Sequence, residues 1–311
     1  MAISPSGLWI EPLVWITGAN GLIGNYLVQT APTGSAGFQP ASFGAICRQD
    51  AGAPRLAVRA LTRADFDLLD FAAVEREFQK DQPQLIIHCA AISAVGEAQK
   101  NAAIARRVNV EVTKFLAELA AEIPFVFFST DLVFDGRKGD YTETDAPNPL
   151  HVYGETKLAA EEVVLKNPRH LVVRTSINGG MSPSGNRAFN EQLRRSLREA
   201  GQGMTLFTDE FRNPIPAVET ARAVWDLAQK NCAGLYHVAG AEKLSRLQIG
   251  ELLVKRWPEV TAQIKSGSAK DFPGPPRALD TSLDIAKAQT VLTRPLPGLG
   301  AWLAANPNES F

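Results

Sequence analysis

Three side chains in this sequence have types and spacing that could do chemistry together: Thr130, Tyr153 and Lys157. In Tyr153-Gly154-Glu155-Thr156-Lys157 a phenol and an ammonium lie four residues apart. On a helix that spacing puts both on one face. A free phenol titrates near ~10 and is a poor proton donor to a carbonyl. A neighbouring ammonium favours the phenolate and lowers that value. The pair then makes a general acid–base near neutral pH. Such a pair also arises by chance in many helices. It gains weight from Thr130, which ends the apolar run Pro124-Phe125-Val126-Phe127-Phe128-Ser129. A hydroxyl at a strand end could hydrogen-bond the carbonyl oxygen that the phenol protonates.

A second stretch supplies the missing reactant. Val14-Trp15-Ile16 is apolar without alternation, as in a buried parallel strand, and it ends in Thr17-Gly18. Gly21 and Gly24 follow at a spacing of three, and Leu22, Ile23, Tyr26 and Leu27 recur at helical spacing. Gly18 permits a tight turn, Gly21 lets the backbone approach a diphosphate, and Gly24 lets the helix pack on the strand. The free N–H groups at the helix start then face phosphate. Gly18, Asn20, Gly21, Leu22, Ile23 and Gly24 therefore read as a dinucleotide-binding turn. A hydride donor, a proton donor and an orienting hydroxyl together describe a carbonyl reductase or alcohol dehydrogenase.

Smaller candidates surround these two stretches. Cys89, Ala90 and Ala91 end the strand that starts at Leu85, and their small size leaves room for a flat cofactor. Arg63 follows the strand 56–62, where a cation would pair with a 2′-phosphate and an acid would hold a free 2′-hydroxyl. That favours NADP, with NAD as the other option; Arg48 could reach the same place, and either arginine could be a plain surface charge. Asp67 and Leu68 are placed to contact the adenine edge, although an acid in a loop is often only a cap. Arg212 and Arg277 could grip a substrate diphosphate bidentately or be rim charges. His88, His151, His170 and His237 show no metal spacing and read as structural.

The elements that must position these groups follow from composition and periodicity. The chain has 311 residues, 45% hydrophobic and 21% charged, enough for one large core and a smaller lobe. A net charge of −1 favours neither nucleic acid nor an anionic membrane. No apolar run approaches the ~20 residues of a membrane span, and the N-terminus lacks a signal-peptide pattern. Cys47, Cys89 and Cys232 read as reduced thiols of a cytoplasmic protein. Strands alternate with helices at 71–80, 98–121 and 153–166, with a short further element at 65–70. That pattern predicts an α/β fold, a doubly wound parallel Rossmann sheet with ligands at the strand ends. Residues 1–175 read as the dinucleotide-binding domain, with 32–54 a flexible insertion. Residues 176–311 read mainly as a substrate-binding lobe, with a strand near 235–239 returning to the sheet. Helices are expected at 189–199, 217–229, 247–257 and 284–291, and a loop at 265–276.

Taken together, the chain resembles an extended short-chain dehydrogenase/reductase, most closely the dTDP-4-dehydrorhamnose reductase family. The stretches TGANGLIG (17–24), IIHCAA (86–91), FFSTDLVFDG (127–136), YTETDAPNPLHVYGETKLAAEE (141–162), GLYHVAG (234–240) and RALDTSL (277–283) carry the resemblance. It implies Thr130, Tyr153 and Lys157 as the catalytic set and Asn109 as a structural or proton-relay residue. It further implies NADPH- or NADH-dependent reduction of a nucleotide-linked 4-keto-6-deoxy sugar, and it allows a homodimer. Three stretches depart from the family pattern: Leu132 stands where a tyrosine is usual, Val95-Gly96-Glu97-Ala98-Gln99 lacks part of an acidic pair, and Ile177-Asn178-Gly179-Gly180 replaces an aromatic stretch. All fall where a sugar nucleotide would sit. They keep open an epimerase or dehydratase using tightly held NAD. They also keep open a non-catalytic NADP-binding regulatory subunit, as relatives provide for methionine adenosyltransferase.

Overall fold

The computed structural model describes residues 12–32, 56–199, 204–260, 263–271, 273, 277–309 and 311. Arg48, Cys47 and all of the expected insertion except Pro32 lie outside the described residues. The first half runs β1 (Leu13–Thr17), α1 (Leu22–Gln29), β2 (Ala57–Leu61), α2 (Phe71–Asp81) and β3 (Leu85–His88). It continues through α3 (Val95–Lys100), α4 (Ala102–Arg106), a π-helical stretch (Arg107–Glu111) and α5 (Val112–Leu119). Then come β4 (Phe125–Thr130), a 3₁₀ turn (Asp131–Val133), α6 (Val152–Val164) and β5 (Leu171–Thr175).

The second half holds β6 (Asn178–Gly179), α7 (Phe189–Glu199), β7 (Met204–Phe207), β8 (Phe211–Arg212), β9 (Ile215–Pro216) and α8 (Ala217–Gln229). It ends with β10 (Gly234–His237), β11 (Leu244–Ser245), α9 (Arg246–Val254), β12 (Ile264–Gly267), α10 (Ala286–Val291) and α11 (Leu299–Ala305).

The main sheet has the order β10-β5-β4-β3-β1-β2, with every pairing parallel. Its strands show no polar alternation because both faces are buried. Val14, Ile16, Leu85, Ile87, Val126 and Val173 enter one core with Leu27 of α1 and Val224 and Leu227 of α8. Trp15, Ile86, Phe125, Phe127 and Val172 enter the other, with Val74 of α2, Leu116 of α5 and Ala160 and Val164 of α6. This is the three-layer α/β arrangement predicted. Strand order reverses between β1 and β3, so the crevice for a ligand opens at their carboxyl ends. The expected returning strand is β10, paired with β5 from Gly234↔Leu171 to His237↔Arg174. Helix α8 joins the same layer, where Trp225 donates its indole N–H to the Leu27 carbonyl at 3.0 Å. A separate apolar cluster forms the small lobe, from Leu193 and Leu197 (α7), Leu206 (β7), Ile249 and Leu253 (α9) and Trp302 (α11).

Several expectations needed correction. Residues 65–70 form turns held by Asp65 and Asp67 rather than an element of their own, so β4 is the fourth strand of the sheet. The helix expected at 98–121 starts earlier and is cut into α3, α4, the π stretch and α5. The break falls at Asn101, and the π stretch surrounds Asn109, whose buried side chain serves other segments. Residues 264–267, expected largely as loop, pair in parallel with β7; single-strand pairings of this length carry too little periodicity to read. Among the described residues no helix is long and apolar enough to cross a membrane.

Candidate active site

The glycine turn owes its shape to close backbone contact. Gly18 has φ +67°, and a Cβ on it would lie 2.7 Å from the Ala90 nitrogen and 2.8 Å from the Ala90 Cα. The carboxyl ends of β1 and β3 can meet this closely only if residue 18 has no side chain. A Cβ on Gly24 would run into the Gly18 carbonyl. Gly21 caps α1 without a side-chain hydrogen bond, and the first turn holds no acid. The helix therefore presents bare N–H groups and positive dipole to the crevice. This cradle, which a Cβ would fill, fits a dinucleotide diphosphate. Cys89, Ala90 and Ala91 line it half-buried, and Asn20 is exposed at its mouth. Leu22 and Ile23 open α1 half-buried.

At the far side of the crevice, β2 ends in a turn where Asp65 accepts the Thr62 N–H and hydroxyl, both at 2.8 Å. That carboxylate is occupied, and Arg63 is exposed beside it. Asp67 accepts the Leu69 N–H at 3.0 Å, the cap reading of that residue, while Leu68 packs into the core beneath β1.

Thr130, Tyr153 and Lys157 come together across two elements. Thr130 closes β4, and Tyr153 and Lys157 share one face of α6. The phenol of Tyr153 lies near enough to the Thr130 hydroxyl for that hydroxyl to act on its ionisation. Gly154 makes this approach possible, because a Cβ there would strike the Leu132 carbonyl. Asn109 holds the surrounding frame. Its amide takes the Ile92 N–H at 2.8 Å and donates to the Ile92 carbonyl at 3.1 Å and to the Thr156 hydroxyl at 3.0 Å. It thus ties the loop after β3 to α6 from inside a π-helical turn. Below, Glu161 and Arg174 form a buried bidentate pair, the Arg174 Nη2 to Glu161 Oε2 contact being 2.6 Å.

Burial controls the electrostatics. It pushes the Tyr153 phenol up to about 12; the nearby Thr130 hydroxyl pulls it back and the Asp131 carboxylate pushes it further up. Burial brings the Lys157 ammonium down to about 7, against the pull of Glu161 and of Cys89. The expected lowering of the phenol by its lysine is therefore not the dominant effect here. The Lys157 Nζ lies 4.0 Å from the centroid of the Phe127 ring on β4, while Tyr153 packs against Ile92, Ala98 and Ala105.

The two arginines expected at the substrate lie in one ionic cluster. Arg212 is buried and donates to the carbonyls of Phe211, Leu279 and Ala278. It also pairs with Glu210 at 3.2 Å and Asp131 at 3.6 Å. Arg277 is half-buried and pairs with Glu210 at 2.6 Å. Arg246 pairs with the same carboxylate at 2.8 Å. Burial alone would raise Glu210, but Arg246, Arg277 and Arg212 hold it at about 2. Glu210, Arg246 and Asp131 were not singled out by the sequence; Asp131 follows Thr130 directly, but nothing local says which lobe its side chain meets. Leu132, Gly96 and Asn178, from the three departing stretches, sit at the same strand-end side, on the turn after β4, on α3 and on β6. No group of three or more His, Cys, Asp or Glu among the described residues could hold a metal.

A parallel doubly wound sheet, a glycine cradle at the strand-order reversal and a Thr/Tyr/Lys set facing it define an NAD(P)-dependent oxidoreductase of the extended short-chain dehydrogenase/reductase class. Residues 13–304 match the model of the RmlD substrate binding domain, and the chain belongs to that family. It is 29% identical over 303 residues, 94% of this chain and 96% of the other, to the probable low-salt glycan biosynthesis reductase Agl14 of Haloferax volcanii. It is 31% identical to the dTDP-4-dehydrorhamnose reductase of Sinorhizobium fredii over 72% of this chain and 79% of that one. It is 30% identical to methionine adenosyltransferase 2 subunit beta of Danio rerio over 59% of this chain and 58% of that one. The fold is similar to that of the dTDP-4-dehydrorhamnose reductase of Bacillus anthracis solved with NADP. There the TM-score is 0.80 at 22% identity, covering 95% of this chain and 98% of that one.

Proposed function

We propose that this protein is an NADP(H)-dependent reductase of a nucleotide-linked 4-keto-6-deoxy sugar. The observation that carries the reading is that Thr130 closes β4 with Tyr153 near its hydroxyl and buried Lys157 one turn further along α6, at the strand ends where the glycine cradle also lies. Gly18, Asn20, Gly21, Leu22, Ile23 and Gly24 would hold the cofactor diphosphate, with Cys89, Ala90 and Ala91 under the nicotinamide side and Arg63 at the 2′-phosphate. The bound nicotinamide supplies hydride. Tyr153 gives its proton to the carbonyl oxygen, Thr130 orients that oxygen, and Lys157 holds positive charge under the phenol as it ionises. Arg277, with Arg246, faces the substrate diphosphate, and Arg212 keeps the carboxylates between them in place. The relatives named as reductases of glycan and rhamnose biosynthesis support this substrate class. The free thiols of Cys89 and Cys232 accord with a cytoplasmic home, and Ile104, 52% exposed on α4, offers apolar contact for a homodimer.

The test is turnover. Purified protein should oxidise NADPH only when a 4-keto-6-deoxy nucleotide sugar is present. A second reading, a regulatory subunit that binds NADP, is favoured by the relatives named methionine adenosyltransferase 2 subunit beta. Tight NADPH binding without turnover of any nucleotide sugar, together with co-purification of a stoichiometric partner, would put that reading first.

A further inference from the structure

Gly180 closes the stretch 177–180, and the aromatic ring over it belongs to Tyr26 of α1. A Cβ on Gly180 would lie 2.8 Å from Tyr26 Cε2 and 2.9 Å from the phenol oxygen. That oxygen accepts the Met181 N–H at 3.1 Å, across 155 positions of the chain. From the other side Asn190 grips the same glycine. Its Oδ1 accepts the Gly180 N–H at 2.9 Å, and its Nδ2 donates to the Gly180 carbonyl at 3.0 Å. Glu191 holds the loop that follows, accepting the Ser182 N–H at 2.8 Å, the Ser182 hydroxyl at 2.6 Å and the Ala188 N–H at 2.9 Å. Asn190 and Glu191 lie in the first turn of α7, which belongs to the small lobe. One phenol, on the helix that starts at the glycine cradle, therefore meets the segment from which α7 hangs.

The first turn of α1 has little in the chain to hold it. The helix has eight residues, no side-chain cap and no acid in that turn. A helix of such length is marginal on its own, and its leading N–H groups gain a partner when an anion binds them. Tyr26 lies four residues, about 6 Å along the axis, from Leu22 at that end. We infer that Tyr26 is a positioning residue that couples the cofactor turn to the small lobe. A diphosphate bound at the start of α1 steadies Tyr26, and Tyr26, through Gly180 and Met181, steadies the loop 181–188 and the start of α7. Ligands of the cradle and of the lobe then favour one another by the same factor, because such coupling is reciprocal. That the lobe's ligand is a nucleotide sugar rests on the reductase reading given above.

Tyr26→Phe removes the acceptor of the Met181 N–H and keeps the half-buried ring on Gly180, so the fold is retained. The readout is hydrogen exchange by mass spectrometry with and without NADPH, at a concentration that fluorescence titration shows to be saturating. In the parent, NADPH should slow exchange in α1 and also in 181–188, there by roughly 2- to 10-fold, the factor that one neutral hydrogen bond is worth. Tyr26→Phe should keep the slowing in α1 and lose it in 181–188. If the variant exchanges faster in 181–188 but NADPH still slows that loop as in the parent, the phenol is only structural and the proposal is overturned. A parent in which bound NADPH protects α1 alone overturns it as well. Protection that passes through Tyr26 without reduction of any nucleotide sugar would sink the reductase reading and leave the coupling standing. Turnover with protection confined to α1 would do the reverse.

Discussion

Tyr153 carries the sharpest test at the scale of single residues. Tyr153→Phe removes only an oxygen from a half-buried ring, so packing and cofactor binding should persist. The proton source is lost, and general acid–base help is worth ~100- to 10,000-fold. Steady-state turnover should fall in that range while the NADPH dissociation constant, read by fluorescence, stays nearly constant; full turnover would rule the mechanism out. Arg63 tests cofactor choice. Its acidic neighbour Asp65 is occupied by Thr62, so the exposed guanidinium is the charge a 2′-phosphate would meet. Arg63→Ala should weaken NADPH several-fold and NADH hardly at all, and parallel titrations of both nucleotides will tell. These residues could be read in the sequence because their neighbours in the chain define them: a strand end, a helical four-residue spacing. Asp131 and Glu210 could not, because their partners lie far away, Thr281 being 150 residues from Asp131.

Among the elements, the glycine turn and α6 do most to shape the site. Gly18→Ala would force a side chain onto a φ of +67° and into the Ala90 backbone. The backbone strain alone is worth ~1–3 kcal/mol. Thermal melts should show a marked loss of stability, and NADPH binding should be lost with it; a variant that melts and binds like the parent would mean that β1 and β3 are not packed this way. Helix α6 is anchored by the Glu161–Arg174 pair, both nearly fully buried. Removing one member of a buried pair strands the other charge and typically costs ~3–5 kcal/mol. Arg174→Met should therefore destabilise far more than Glu161→Gln paired with Arg174→Met, and denaturant unfolding of the two forms decides it. The helix expected at 98–121 illustrates the limit of periodicity. Its apolar spacing is real, but Asn109 turns inward to serve Ile92 and Thr156, and the backbone widens to a π turn around it.

Across the whole molecule, buried imidazoles should govern acid stability. Burial holds His237 at about 4, with Arg174 adding to the effect, and it holds His88 at about 3, with Lys157 adding. Each keeps one ring nitrogen without a hydrogen-bond partner. Both stay neutral when folded but take up protons near ~6.5 when unfolded. The unfolded state therefore gains protons as pH falls below ~6.5, and stability declines down to about 4, where the folded form begins to accept them as well. Glu210, held at about 2, adds its own loss only below its ordinary value of 4.5. Urea unfolding should show several kcal/mol less stability near pH 5 than near pH 7.5, at about 1.4 kcal/mol per unit and group. His237→Gln should flatten that slope; a curve independent of pH would refute it.

By itself the sequence determined whatever is local or repeated: the strand–glycine–helix turn, the two-sided burial of the strands, the Tyr153–Lys157 spacing and the alternation that makes the sheet parallel. These signals survive because each depends on residues within a few positions, and burial on both sheet faces leaves an unmistakable apolar run. Only the tertiary structure decided that Tyr153 is raised by burial rather than lowered by its lysine. It also decided that Arg212 is locked among carbonyls and carboxylates, and that β12 pairs with β7. Each of these turns on desolvation or on contacts between distant segments. Neither quantity is written in residue type or spacing, because both depend on which surfaces the closed fold removes from water.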